Sequence, residues 1–186
     1  MGYFNPIPDK NFAVDVVIKW IADILAVVVL ALFAINLLCD KAVMVGNSMV
    51  GEINNSETVL INKFSYKAGD PKRFDVVVYK NDEGNILIKR IIGLPGEEIK
   101  ISGSQIYIKN SDGEQKLQDN FFKGQYESGD VSEYVEIDSN EYFVMGDNRN
   151  VSEDSRFSYV GNVKKSQIIG KAWLIAAPFN RIGFIN

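Results

Sequence analysis

Three short blocks of this chain carry residue types that chemistry needs. The first, Val45 to Met49 (VGNSM), presents Ser48 after Gly46 and Asn47, which favour a tight turn and so a hydroxyl with free backbone N–H groups around it. The second sets Lys89 in the middle of an apolar run, Asn85 to Glu97 (NILIKRIIGLPGE). As an alternating strand, that run puts Leu87, Lys89 and Ile91 on one face and Ile86, Ile88, Arg90 and Ile92 on the other, so Lys89 is flanked by hydrocarbon. The third, Gly146 to Arg156 (GDNRNVSEDSR), holds Ser152, Asp154 and Arg156. Taken singly, each block has a plain structural account: Ser48 as a turn former, Lys89 as a solvated edge residue, Asp154 with Arg156 as a simple ion pair.

What the chain lacks narrows the chemistry. Its 186 residues include no histidine and one cysteine, Cys39. A Ser-His-Asp triad, a Cys-His pair, an intrachain disulfide and the histidine or thiolate zinc sites are all excluded, and no metal or other cofactor is expected. Nucleophilic chemistry must therefore take its base from Lys, Asp or Glu. A net charge of −4 and a pI near 5.0 leave no basic footprint for nucleic acid.

The elements that must position these blocks are mostly strands. After Lys41, short runs rich in Val, Ile and Tyr alternate with Gly, Asn and Asp clusters: Thr58 to Lys63, Phe74 to Lys80, Ile86 to Ile92, Glu98 to Ile101, Gln105 to Lys109, Tyr134 to Ile137, Tyr142 to Met145 and Gln167 to Ile175. We expect a mostly β fold, with an antiparallel, barrel-like domain over residues 40–186 and a polar, acidic excursion at 110–133. Lys80 to Asn85 (KNDEGN) reads as a hairpin turn, making Phe74 to Lys80 the antiparallel neighbour of the lysine strand. Ahead of this domain, Trp20 to Cys39 is predominantly apolar and, as a helix, about 30 Å long, which predicts a transmembrane helix at 20–39. Residues 1–19, with Pro6 and Pro8, read as a short irregular cytoplasmic tail.

In this order after an amino-terminal span, the blocks resemble the bacterial type I signal peptidases. The matching residues are Ser48-Met49, KRIIGLPGE from Lys89 to Glu97, GDNRNVSEDSR from Gly146 to Arg156 and, more loosely, FDVVVY from Phe74 to Tyr79. The resemblance implies a membrane-anchored serine endopeptidase with Ser48 as nucleophile and Lys89 as general base, Ser152 orienting the amine, Asp154 and Arg156 as a supporting ion pair, and Met49 in substrate binding. It further implies an oxyanion donor in the Ser48 N–H, signal-peptide-bearing precursors and the lipid bilayer as partners, and a domain on the extracytoplasmic side. A lysine base must be neutral, so its pKa of about 10.4 has to fall to around 7 to 8, which burial can achieve. Where the family usually follows Ser-Met-x with proline and threonine, this chain has Val50, Gly51 and Glu52, which predicts a looser backbone beside Ser48. That departure motivates one alternative, a specialised relative that processes or assembles pilin or other surface-protein precursors. Another is a non-catalytic membrane-tethered chaperone.

Overall fold

The computed structural model describes residues 12–67, 69–122 and 124–186 and, within the amino-terminal helix, the side chains of residues 14–31 and 33. That helix, α1, runs Phe12–Leu38, and the chain divides into one compact unit ending at Leu38 and another formed by Cys39–Asn186. Residues 12–19, expected in an irregular tail, are therefore helical. No proline or glycine follows Pro8 in this stretch, and Asp15 in the first turn complements the helix dipole. The remainder of the expected tail, residues 1–11, lies outside the described residues. Among the described residues, no helix is long and apolar enough to cross a membrane. The stretch 14–31 carries Asp15, Lys19 and Asp23, while the side chains at 32 and 34–39, in the second half of the expected span, lie outside the description.

The second unit is built from strands: β1 (Cys39–Val43), β2 (Thr58–Asn62), β3 (Val76–Lys80), β4 (Ile86–Gly93), β5 (Glu98–Ser102), β6 (Gln105–Asn110), β7 (Gly113–Lys116), β8 (Val135–Glu136), β9 (Glu141–Met145), β10 (Val163–Lys164), β11 (Ile168–Ala177) and β12 (Gly183–Phe184). All pairings are antiparallel. The larger sheet runs β1-β2-β11-β3-β4-β9-β10, with β12 beside β11, and the smaller runs β7-β6-β5-β8. The barrel-like expectation gives way to two open sheets, because the pairings leave β1 and β10 at the ends of one and β7 and β8 at the ends of the other.

β4 positions Lys89. The turn before it is closed by the Asn81 N–H on the Asn85 carbonyl at 3.0 Å and by the Asn85 N–H on Asn81 Oδ1 at 2.8 Å. Register then follows, with Tyr79 opposite Leu87 and Val77 opposite Lys89. β4 contributes to three buried clusters: Ile88 packs with Val59, Val76 and Ala172, Ile92 with Ile99, Ile106 and Phe143, and Ile91 with Val77, Tyr79 and Val144. Leu87 and Ile91 share the third cluster, as the alternation predicts, so the strand face that carries Lys89 is hydrocarbon.

Residues 110–133 do more than leave the core. β7 extends the smaller sheet, and Phe121 packs its ring 5.2 Å from that of Phe74. The Arg90 guanidinium lies 3.6 Å over the Phe121 ring, so this segment roofs a buried charge.

Candidate active site

The Ser48 turn sits between β1 and β2, held at both ends by wholly buried apolar side chains. Met49 and Ile53 lie in the first cluster, and the Met49 carbonyl accepts the N–H of Glu52 at 3.1 Å and of Ile53 at 2.8 Å. Between them Gly51 has φ +116°, in the left-handed region open to glycine and closed to proline. The family's proline is thus replaced by a turn of a different hand, pinned by backbone hydrogen bonds, where the sequence predicts looseness. Restoring it by Gly51→Pro is expected to destabilise the fold by about 1–3 kcal/mol and to lower activity, checked by denaturant titration and peptide cleavage. Met49, expected in substrate binding, is wholly buried and is not among the cavity-lining residues; its Sδ accepts the Asp147 N–H at 3.5 Å.

Lys89 is 4% exposed, and its Nζ donates to Ser152 Oγ at 2.8 Å. Burial lowers its pKa to about 8; the Asp154 carboxylate pulls the other way, and the Arg156 guanidinium adds to the depression. Ser48 and Lys89 line one cavity of about 620 Å³, together with Asn47, Tyr79, Leu87 and Val151. Among the described residues no protein acceptor is found for the Ser48 N–H, so that donor is available to a ligand.

The third block clamps this arrangement through buried charge. Asp154 Oδ1 accepts Arg156 Nε at 2.7 Å, while Oδ2 accepts Arg156 Nη2 and the Gly146 N–H, each at 3.0 Å. Arg156 Nη2 also donates to the carbonyls of Ser152 at 3.0 Å and Arg149 at 2.7 Å, fixing the backbone that carries the Ser152 hydroxyl. Removing either partner would leave the other charge buried and unpaired, at a cost of about 3–5 kcal/mol.

The sequence reads Arg90 as structural and Asp147, Asn148 and Arg149 as shaping the turn that carries Ser152; which partners they hold is seen only in the fold. Arg90, wholly buried on the face opposite Lys89, pairs with Asp147 through two hydrogen bonds of 2.8 and 2.7 Å and donates to the Phe74 carbonyl at 2.9 Å. Asn148 ties the third block to the first: its N–H donates to the Ser48 carbonyl at 2.9 Å and its Nδ2 to that of Asn47 at 3.0 Å. Gly146 is where the two blocks come closest. A Cβ there would fall inside van der Waals contact with Ser152 Oγ and the Ser48 carbonyl oxygen, and 2.7 Å from Ser152 Cβ. The one available signal was an arginine in an apolar strand, which requires a buried carboxylate from elsewhere.

Comparison with known proteins shows the family. Residues 17–177 match the model of the family described as signal peptidase, peptidase S26. The chain belongs to the S26 signal peptidase family. It is a serine peptidase, a hydrolase. Signal peptidase I P of Bacillus subtilis subsp. natto is 34% identical over 173 residues, covering 89% of this chain and 92% of that protein. Signal peptidase I S of Bacillus subtilis (strain 168) is 34% identical over 175 residues, covering 91% and 94%. Signal peptidase I of Bacillus amyloliquefaciens is 34% identical over 178 residues, covering 94% and 95%. The crystal structure of a signal peptidase I from Enterococcus faecalis V583 covers 55% of this S26 peptidase and 96% of its own chain at 26% identity and a TM-score of 0.43; the fold assignment rests on the strand pairings.

Proposed function

We propose that this S26 peptidase is a membrane-anchored serine endopeptidase that removes N-terminal signal peptides from exported precursor proteins, with Ser48 as nucleophile and Lys89 as general base. The observation that carries the reading is the buried Lys89 amine, its pKa lowered to about 8, lining the same cavity as Ser48. A neutral Lys89 takes the Ser48 proton as Oγ attacks the scissile carbonyl, and the Ser48 N–H stabilises the oxyanion. The resulting ammonium then protonates the departing amine, leaving an acyl-serine. Neutral again, Lys89 deprotonates the water that releases the acid. Ser152 holds the amine in line throughout, and the Asp154–Arg156 pair fixes Ser152.

Anchoring is part of the proposal. In this reading residues 20–39 cross the bilayer and residues 40–186 lie on the extracytoplasmic side; the short sequence separation of Ser48, nine residues beyond Cys39, supports a nucleophile that works near the membrane surface.

The test is cleavage of a signal-peptide-bearing precursor by the detergent-solubilised chain. Ser48→Ala and Lys89→Ala are each expected to lose about a thousandfold or more in rate, and kcat/KM of the parent is expected to rise with pH through about 8 and then level off, as the amine becomes neutral. Either variant cleaving as fast as the parent would refute the dyad. Comparing a general secretory precursor with a pilin precursor in the same assay measures substrate range.

A further inference from the structure

Three buried arginines gather behind the site, and each must be matched by an anion. Arg90 takes Asp147 and Arg156 takes Asp154, both carboxylates coming from the third block. Arg149, also wholly buried, takes its carboxylate from the polar excursion at 110–133 instead. Its Nη1 stands 2.5 Å from Asp119 Oδ2, and among the described residues this is the one ion pair that Arg149 makes. Its Nη2 has no hydrogen-bond partner among them. A guanidinium closed off from water with a single anion beside it depends on that anion, because nothing else compensates the charge when the anion goes.

The excursion holds Asp119 in place. Its Oδ1 accepts the Phe121 N–H at 3.1 Å, and the Phe121 ring is fixed in turn against Phe74 and the Arg90 guanidinium. Further along, the centre of the Tyr126 ring lies 5.3 Å from the Arg149 guanidinium carbon and 5.5 Å from that of Arg156. The Glu127 carbonyl accepts Arg156 Nη1 at 3.1 Å, and the Asp130 N–H donates to the Arg156 carbonyl at 2.8 Å. From Arg149 the contacts lead straight to the groups around the nucleophile. Its Nε donates to the Gly146 carbonyl at 2.9 Å, and its own carbonyl accepts Arg156 Nη2, the nitrogen that also holds the Ser152 carbonyl. Gly146 is the residue against which the Ser48 carbonyl and Ser152 Oγ close.

We propose that Asp119 is a positioning residue of the peptidase: paired with Arg149, it fixes the Gly146 carbonyl and with it the place where the Ser48 and Ser152 blocks meet. A carboxylate on a solvated loop would have no such effect, but the Asp119 side chain is only 11% exposed and its partner is wholly buried. The two members of the pair are unequal. Asp119 stands near the surface, so water can reach it if Arg149 is removed, whereas Arg149 without Asp119 must stay unpaired or move outward. Outward movement draws Nε off the Gly146 carbonyl and slackens the contacts that the Gly146–Asn148 turn makes with Ser48 and Asp154. What is lost is the alignment of the Ser48 hydroxyl with the Lys89 amine. For its effect on rate the inference rests on the serine–lysine reading given above; for the contact itself it does not.

The experiment uses the full-length chain in detergent and compares the parent with Asp119→Asn, Arg149→Met and the double variant. Asparagine keeps the shape of the side chain and can still accept the Phe121 N–H, but it carries no charge. With a signal-peptide-bearing substrate at saturation, kcat of Asp119→Asn is expected to fall about tenfold while KM stays within about twofold of the parent. In the Arg149→Met background, itself slow, adding Asp119→Asn is expected to change kcat by less than about twofold, because no buried cation is left to strand. Amide hydrogen exchange followed by mass spectrometry is expected to quicken about tenfold at residues 146–148 of Asp119→Asn while β2 and β11 exchange as in the parent. Parental kcat in Asp119→Asn, an equal loss in both backgrounds, or exchange quickened uniformly through the sheet overturns the proposal. Should Asp119→Asn fail to fold, the double variant, which has no unpaired guanidinium, must fold and match Arg149→Met, or the proposal falls. Ser48→Ala cleaving as fast as the parent sinks the dyad reading alone, since exchange at residues 146–148 reads the contact without any cleavage.

Discussion

Replacing Lys89 by methionine is expected to abolish cleavage and at the same time to stabilise the protein near pH 7 by about 2 kcal/mol. Methionine fills a similar volume without a charge, on a strand face whose other members are Leu87 and Ile91. The folded pKa of about 8 lies below the ordinary value of 10.5, so the folded state holds its proton less tightly than the unfolded chain. At and below pH 8 both states carry the charge, and the folded state bears the full cost of burying it, about 3 kcal/mol. Loss of the hydrogen bond to Ser152 takes back about 1 kcal/mol. Between about pH 8 and 10.5 the unfolded chain binds more protons, so parent stability rises with pH across that window and the methionine variant's does not. Denaturant titrations of parent and variant at several pH values read this directly, as curves separated by about 2 kcal/mol at pH 7 that cross between about pH 9 and 10, the parent ending about 1 kcal/mol the more stable. A variant less stable than the parent at pH 7 would mean that the amine is not desolvated.

Gly146→Ala is expected to damage activity through a single methyl group: kcat should fall about a hundredfold or more, and unfolding free energy by about 1–3 kcal/mol. The added carbon would collide with Ser152 Oγ on one side and the Ser48 carbonyl oxygen on the other. Relief requires the first and third blocks to separate. Neither can yield easily, because Asn148 holds the Ser48 carbonyl at 2.9 Å and Asp154 holds the Gly146 N–H at 3.0 Å. Because both Ser48 and the residue that orients Lys89 are displaced, the loss should appear mainly in kcat, and steady-state kinetics on a short peptide at saturation will separate it from KM. An alanine variant with parental kcat would mean that the two blocks do not bear on each other in solution.

Local pattern carried much of this structure. The alternation in β4 placed Lys89 among hydrocarbon, and the polar run Lys80 to Asn85 set its hairpin, because both depend on residues adjacent in sequence. β1, by contrast, reads as the end of an apolar helix followed by charges; it is a strand because β2 is there to pair with it. The Arg90–Asp147 pair spans 57 residues, and nothing local to either residue announces the other. The Gly51 turn misled for a related reason. Its sequence shows that a proline is gone but not that the backbone φ is one proline cannot take. Pairings at long separation and backbone handedness were hidden, whereas periodicity and turn composition were visible.

The place of β11 bears on how the two halves of the site are held together. It is the penultimate strand in the chain, yet in the larger sheet it lies between β2 and β3, pairing with both. Among the described residues, the strand ladder joins the β1–β2 pair, whose connecting loop carries Ser48, to the β3–β4 hairpin with Lys89 through β11. A growing chain can close that hairpin early, but the sheet has a gap until Ile168–Ala177 is synthesised and inserts as a central strand. The cavity shared by Ser48 and Lys89 thus leans on a strand distant in sequence from both, and a variant that weakens the pairing of Ile168–Ala177 is expected to loosen the site without touching it.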